Sequence, residues 1–166
     1  MNVLINAVLS ASLLAALAWP QAASVRPEDL RRLAGARWTG TLTYTDYSSN
    51  RRVSIPSNLT VTERDGGATS WLFEYEYPKE PKANGRREVT LAGDGATLGG
   101  ETVVERSSLE GGLLRIVTEK RGADDDRPAL FRYTYLIGAS SFSVRKEVRP
   151  DGAEQFFERN VYSWSR

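Results

Sequence analysis

The sequence predicts an all-β protein: one antiparallel up-and-down barrel of about 8–10 strands, preceded by a short helix. Three observations carry that reading. Apolar and polar residues alternate over most of the chain between Trp38 and Trp164, which is the two-residue period of a half-buried strand. Turn signals rich in Gly, Asp and Pro separate the alternating stretches. No helix pattern lies between them, so neighbouring strands are joined by hairpins. A meander of this kind removes its unpaired edges most simply by closing on itself.

The chain opens with an apolar, uncharged run at residues 3–18, VLINAVLSASLLAALA. The run is shorter than the roughly 20 residues needed to span a bilayer. It ends in Ala16-Leu17-Ala18, a small-x-small pattern, with a second such pattern at Ala22-Ala23-Ser24. Met1-Asn2 supplies no basic side chain ahead of it, only the terminal amine. Together these predict a signal peptide over residues 1–23 and a single domain over 24–166, exported to the periplasm or beyond, with no stable membrane span after cleavage.

Arg26–Ala34 reads as a helix, with Pro27 in its first turn, Glu28 and Asp29 facing the N-terminal dipole, and Gly35 as its stop. The strands follow. Trp38, Gly40, Leu42 and Tyr44 oppose Thr39, Thr41, Thr43 and Thr45. Val53, Ile55, Leu59 and Val61 oppose Arg52, Asn58, Thr60 and Thr62. Trp71, Phe73, Tyr75 and Tyr77 oppose Leu72, Glu74 and Glu76, and Phe131, Tyr133, Tyr135 and Ile137 oppose Arg132 and Thr134. Phe142, Val144 and Val148 oppose Arg145, Glu147 and Arg149. In the last strand Phe157, Arg159 and Val161 oppose Phe156, Glu158, Tyr162 and Trp164, with Arg159 expected on the inward face. Weaker strands are expected over 86–92, 97–106 and 113–120. Loops are expected at Asp46–Asn50, Asp65-Gly66-Gly67, Pro78–Gly85, Gly93-Asp94-Gly95, Glu110-Gly111-Gly112, Gly122–Pro128, Gly138-Ala139-Ser140 and Pro150-Asp151-Gly152.

Composition excludes several chemistries. There are 22 basic and 21 acidic residues, a net charge of +1, and neither cysteine nor histidine. The charge balance leaves no electrostatic footprint for nucleic acid or an anionic membrane surface. Without cysteine there is no disulfide and no thiol nucleophile. Without histidine there is no proximal-histidine haem, no histidine zinc site and no Ser-His-Asp triad. No cofactor is expected.

Gly35-Ala36-Arg37-Trp38-Thr39-Gly40 opens the first strand after a short helix, and a hairpin barrel of this length follows. This resembles the lipocalin and calycin superfamily, and Trp38-Thr39-Gly40 also resembles the W-x-G opening of uncharacterised bacterial lipocalin-like families. The resemblance implies that Trp38 closes one end of the barrel beneath a cation from the last strand, Arg159 ahead of Arg166. It also implies a small-molecule carrier.

The aromatic faces are the candidate ligand site: Trp71, Phe73, Tyr75, Tyr77, Phe131, Tyr133 and Tyr135, with Arg159, lining a cavity that takes a small apolar or amphipathic molecule. A cavity above roughly 300 Å³ would mark a ligand site rather than a filled core. Fatty-acid-like probes are then expected to bind and to quench Trp71. Two other readings compete with the carrier: a cofactor-free barrel enzyme of cyclase or isomerase type using Tyr, Arg and Glu, and a structural or protein-binding module with a filled core. Other motifs have plainer explanations. Asp124-Asp125-Asp126 lacks the spacing of a calcium loop and reads as a solvated hairpin tip. Lys79–Asn84 reads as a polar loop. The pairs Glu101/Glu105 and Glu74/Glu76 read as outward carboxylates partnered by Arg115, Arg132 or Arg145. Asn58-Leu59-Thr60 has the form of a glycosylation acceptor.

Overall fold

Ten antiparallel strands follow the short helix α1 (Pro27–Arg31): β1 (Arg37–Asp46), β2 (Arg51–Glu63), β3 (Ser70–Glu76), β4 (Gly85–Thr90), β5 (Thr97–Leu98), β6 (Glu101–Ser108), β7 (Leu114–Asp124), β8 (Arg127–Ile137), β9 (Ser141–Pro150) and β10 (Phe157–Ser165). This is a computed structural model, and it describes residues 23–46, 48–64 and 69–166. The apolar run at 3–18, its cleavage pattern Ala16-Leu17-Ala18 and the turn Asp65-Gly66-Gly67 lie outside those residues.

The strands form one sheet in the order β4-β3-β2-β1-β10-β9-β8-β7-β6-β5. Every neighbour in that order is also a chain neighbour, apart from β1 with β10, so the connections are hairpins. The two ends of the sheet meet at a bridge between Leu91 and Leu98. There the Gly99 N–H donates to the Thr90 carbonyl at 2.7 Å and the Ala92 N–H to the Thr97 carbonyl at 2.9 Å. The result is a nearly closed barrel, with β4 against β5 as its thinnest seam.

The predicted faces hold for most strands. Trp38, Leu59, Val61, Trp71, Phe73, Tyr135, Ile137, Phe142 and Val148 are buried, and Trp38 pairs with Leu59, as Val61 does with Phe73. Gly40 has its own reason within Trp38-Thr39-Gly40. β1 lies so close to β10 there that any Cβ would overlap the Ser163 carbonyl.

The departures come from bulges and tight turns. The expected strand over 97–106 is cut in two by Gly99-Gly100, both at positive φ (59° and 79°). They form the two-residue loop that pairs Leu98 with Glu101, a geometry that glycine adopts without steric cost. The loop expected over Gly122–Pro128 shrinks to Asp125-Asp126, also both at positive φ, because β7 runs on to Asp124 and pairs it with Arg127. In β6 the register shifts between Val103 and Glu105. The odd-numbered inward face, Glu101 and Val103, gives way to Arg106. Glu101 and Glu105 are therefore not on one outward face as the spacing suggested. Glu105 contacts Arg115 at 3.4 Å, while Glu101 is buried.

β10 carries the largest correction. Its register shifts between Glu158 and Asn160, and an extra residue in one strand reverses which parity points inward. Asn160, Tyr162 and Trp164 pair with Lys146, Val144 and Phe142 on the interior face, and Val161 turns outward. Arg159 sits at the shift and faces Asp124 at 3.6 Å.

One end of the barrel is sealed by the helical segment. Leu30 and Leu33 are buried beside Trp38, and the Trp38 Nε1–H donates to the Leu33 carbonyl at 2.9 Å. The helix is held by charge as well. Arg106 donates from Nε and Nη2 to both Asp29 oxygens at 2.7 and 2.8 Å, and the Arg26 N–H reaches Asp29 Oδ2 at 2.9 Å. Burial pushes the Asp29 carboxyl up, but these donors outweigh it and hold the group below its ordinary value. The cation over the Trp38 ring is Arg166, with its Cζ 4.4 Å from the ring centroid, and not Arg159. Arg166 follows the last strand directly and is anchored by two hydrogen bonds to the Ala139 carbonyl, at 3.1 and 3.0 Å.

Trp38 is fully buried, hydrogen-bonded and in edge contact with Phe142. Trp38→Ala is expected to cost about 3–5 kcal/mol in urea unfolding, the range for a large aromatic truncation in a packed core. A mutant that unfolds with the parent's midpoint would show that this end of the barrel does not depend on the ring.

Candidate functional site

Toward the end away from α1, the interior opens into a partly enclosed cavity of about 140 Å³. Its walls come from five strands: Phe73 and Tyr75 on β3, Arg87 and Val89 on β4, Tyr133 and Tyr135 on β8, Val144 and Lys146 on β9, and Asn160 and Tyr162 on β10. Period-two geometry brings them together, because each pair shares one face of its strand.

A buried polar cluster forms one side. The Glu101 side chain is 2% exposed, and three donors satisfy it. Arg87 Nη2 donates to Oε1 at 2.8 Å, the Thr118 hydroxyl to Oε2 at 2.7 Å and the Tyr135 hydroxyl to Oε2 at 3.0 Å. Arg87 also donates to the Gly99 carbonyl at 3.2 Å. A carboxylate carried into an interior without such partners would cost several kcal/mol, so the cluster is a condition of the fold as well as a wall of the cavity.

The opposite side is aromatic. Tyr75 packs tilted against Tyr162, with centroids 5.6 Å apart, and Tyr162 stacks on Trp164 at 5.0 Å. Trp164 then stacks on Phe142 at 5.2 Å, which leads back to Trp38. The Tyr162 and Tyr77 hydroxyls share a hydrogen bond at 2.7 Å. The Lys146 ammonium lies over the Phe131 ring, 4.2 Å from its centroid.

Burial raises the tyrosines. Tyr75 is pushed up to about 12, chiefly by desolvation and against the pull of Arg87. Tyr135 is held well above its ordinary value by desolvation and the Glu101 charge. Tyr133 and Tyr162 rise for the same first reason, Tyr162 also through its bond to Tyr77. Burial lowers Lys146, partly offset by the attraction of Asp124.

Of the sequence-predicted residues, Phe73, Tyr75, Tyr133 and Tyr135 line the cavity. Tyr77 reaches it only through its bond to Tyr162, and Phe131 lies beneath Lys146. Trp71 is wholly buried, paired with Val89, and is not among the lining residues. Arg159 is likewise not among them and belongs to the Asp124 pair.

Sequence reasoning missed Arg87, Lys146, Asn160 and Tyr162 as site residues, and it placed Glu101 on the outward face, where the structure buries it. Lys146 had a usable signal: it continues the inward file Phe142, Val144, Val148 at the same parity. Glu101 had one too, since it shares parity with Val103 just after a Gly-Gly turn. Asn160 and Tyr162 had none, because the register shift before them leaves no mark in the alternation.

The chain matches no family model and no curated protein. Among the described residues no helix is long and apolar enough to cross a membrane.

The raised phenols give a direct test. In a spectrophotometric titration at pH 10.5, the absorbance at 295 nm of the folded protein should fall well short of that of the urea-unfolded chain with the same seven tyrosines at the same pH, and reach it only as the fold opens. The unfolded chain ionises near the ordinary phenol value while Tyr75, Tyr133, Tyr135 and Tyr162 resist. Stability is therefore present below that value and lost as pH rises above it. Equal absorbance of the folded and unfolded chains at pH 10.5 would contradict the buried placement of these rings.

Proposed function

We propose that the protein is an exported, lipocalin-like barrel that holds a small amphipathic molecule in its interior. The observation that carries this reading is the partly enclosed cavity, walled by aromatic rings on one side and by charged and hydroxyl groups on the other. Few convergent polar groups in a largely aromatic pocket are what fix a small ligand's orientation. The lipocalin reading draws on the ring of Trp38 closing one end of the barrel beneath Arg166. Export draws on the uncharged apolar run at residues 3–18 and its small-x-small endings.

Size limits the occupant. The volume of about 140 Å³ does not reach the roughly 300 Å³ expected from the sequence as the mark of a ligand site, which leaves room only for an occupant well below drug size. It is close to a cavity of about 150 Å³ that accepts benzene. A single ring with a polar substituent fits, and an extended fatty-acid chain does not. The fluorescent partner for such a ligand is Trp164, stacked on Tyr162, rather than Trp71.

The enzyme alternative is weaker on electrostatic grounds. A general acid or base works best with a value near the operating pH, and burial moves Tyr75 and Tyr135 in the opposite direction. Both remain neutral: Tyr75 keeps its hydroxyl for a ligand, while Tyr135 commits its proton to Glu101.

p-Cresol is a suitable probe for titration calorimetry. Eight heavy atoms at roughly 0.6 kcal/mol each, inside the bound for small ligands, give a Kd of about 0.3 mM. Val144→Phe should fill the cavity and abolish binding while leaving the far-ultraviolet circular dichroism unchanged. Absence of binding by p-cresol, benzyl alcohol and benzoate alike would leave the filled-core reading in its place.

A further inference from the structure

We infer that the cavity selects a compact monoanion, a single-ring carboxylic acid whose carboxylate is received by Lys146, Asn160 and Tyr133. This rests on the cavity-binding reading above and goes further by assigning the head group and the residues that recognise it.

The argument is one of charge and hydrogen-bond accounting around one small volume. Two cations line the cavity, Arg87 and Lys146. Arg87 is neutralised within the protein by Glu101 at 2.8 Å. Glu101 in turn is saturated by Thr118 and Tyr135, so that pair has little left to offer a ligand. Lys146 is different. Among the described residues its ammonium contacts the face of Phe131 and has no carboxylate within ion-pair distance. Asp124 on β7, the acidic group whose charge acts most strongly on Lys146, is engaged by Arg159 at 3.6 Å. The groups facing Lys146 are thus Asp124 on β7, Arg159 on β10 and Glu101 on β6, each with an opposite charge beside it. One positive charge is left over at the cavity wall.

Donors are left over as well. Among the described residues the hydroxyls of Tyr75 and Tyr133 and the side-chain amide of Asn160 make no hydrogen bond, and all three residues line the same cavity. An ammonium, a phenol and an amide on the wall of one small cavity suit a planar acceptor of charge −1. A doubly charged phosphate would leave one charge uncompensated. The remaining wall, Phe73, Val89, Val144 and Tyr162, is apolar and of a size for one ring. The lowered value of Lys146 fits a cation held in a partly desolvated place, which an arriving anion would stabilise.

The test compares benzoate with benzyl alcohol, which has the same ring and no charge, by titration calorimetry on the whole protein. At pH 7 benzoate should bind at least tenfold more tightly. Lys146→Met should erase that preference while leaving benzyl alcohol bound as before, and Lys146→Arg should restore part of it. The preference should also fade as pH rises through the depressed Lys146 value, since the anion needs the protonated amine. Equal binding of the two ligands, or an unchanged benzoate affinity in Lys146→Met, overturns the head-group assignment and leaves the cavity reading standing. Failure of both ligands to bind overturns both.

Discussion

Glu101 is the constraint on which the rest of this barrel depends. The ladder is complete from β4 round to β5 except at one place, where the ends of the sheet meet over little more than the Leu91–Leu98 bridge. Glu101 lies next to that seam, inward and buried, on the strand that follows the two-residue β5. Its bond to Arg87 crosses the seam from β6 to β4, and its bonds to Thr118 and Tyr135 tie in β7 and β8. A buried carboxylate tolerates only a fully bonded arrangement. Closing the barrel in any other register would leave it without its donors, so the charge specifies which closure is native. The same arrangement gives the cavity its polar wall, and the residue that fixes the fold also shapes the site.

The two ends of the barrel solve different problems. At the α1 end every element acts to exclude water. Leu30 and Leu33 cover the opening, Trp38 bonds to the helix backbone, and Asp29 draws Arg106 inward from β6. At the other end the side chains are too few or too polar to fill the space. Lys146 and Asn160 stand where Val148 and Trp164 stand elsewhere on the same strands, and the packing stops short. The aromatic series from Trp38 through Phe142, Trp164 and Tyr162 to Tyr75 joins the two regions. A cavity at one end and a plug at the other is the arrangement on which the proposed small-molecule role rests.

Most of the fold was legible because alternation is a direct record of which face is buried. The threonine file of β1 and the aromatic files of β3 and β8 gave strand, face and barrel class together. What alternation does not record is a change of parity. The shifts at Val103/Glu105 and Glu158/Asn160 each reverse the face, and neither is marked by glycine or proline. Uninterrupted alternation therefore puts Arg159 inside and Tyr162 outside, the reverse of what the shift produces. Arg87 and Lys146 escaped notice for another reason: a charged residue at an inward position reads as a surface residue until its partner, or the space it faces, is known. The cation over Trp38 shows the same limit. Proximity to the last strand was legible, while the choice of Arg166 over Arg159 depended on a register shift.

A double-mutant cycle on Arg87 and Glu101, measured by urea unfolding, tests the central claim most directly. Arg87→Met leaves Glu101 buried without its cation, Glu101→Gln removes the charge, and the double variant removes the conflict. Closure by this pair predicts a coupling of about 1.5–3 kcal/mol, the worth of a charged hydrogen bond, with the double variant more stable than the sum of the singles. Additive effects within about 0.5 kcal/mol would mean that the seam closes without the pair, and would contradict the account.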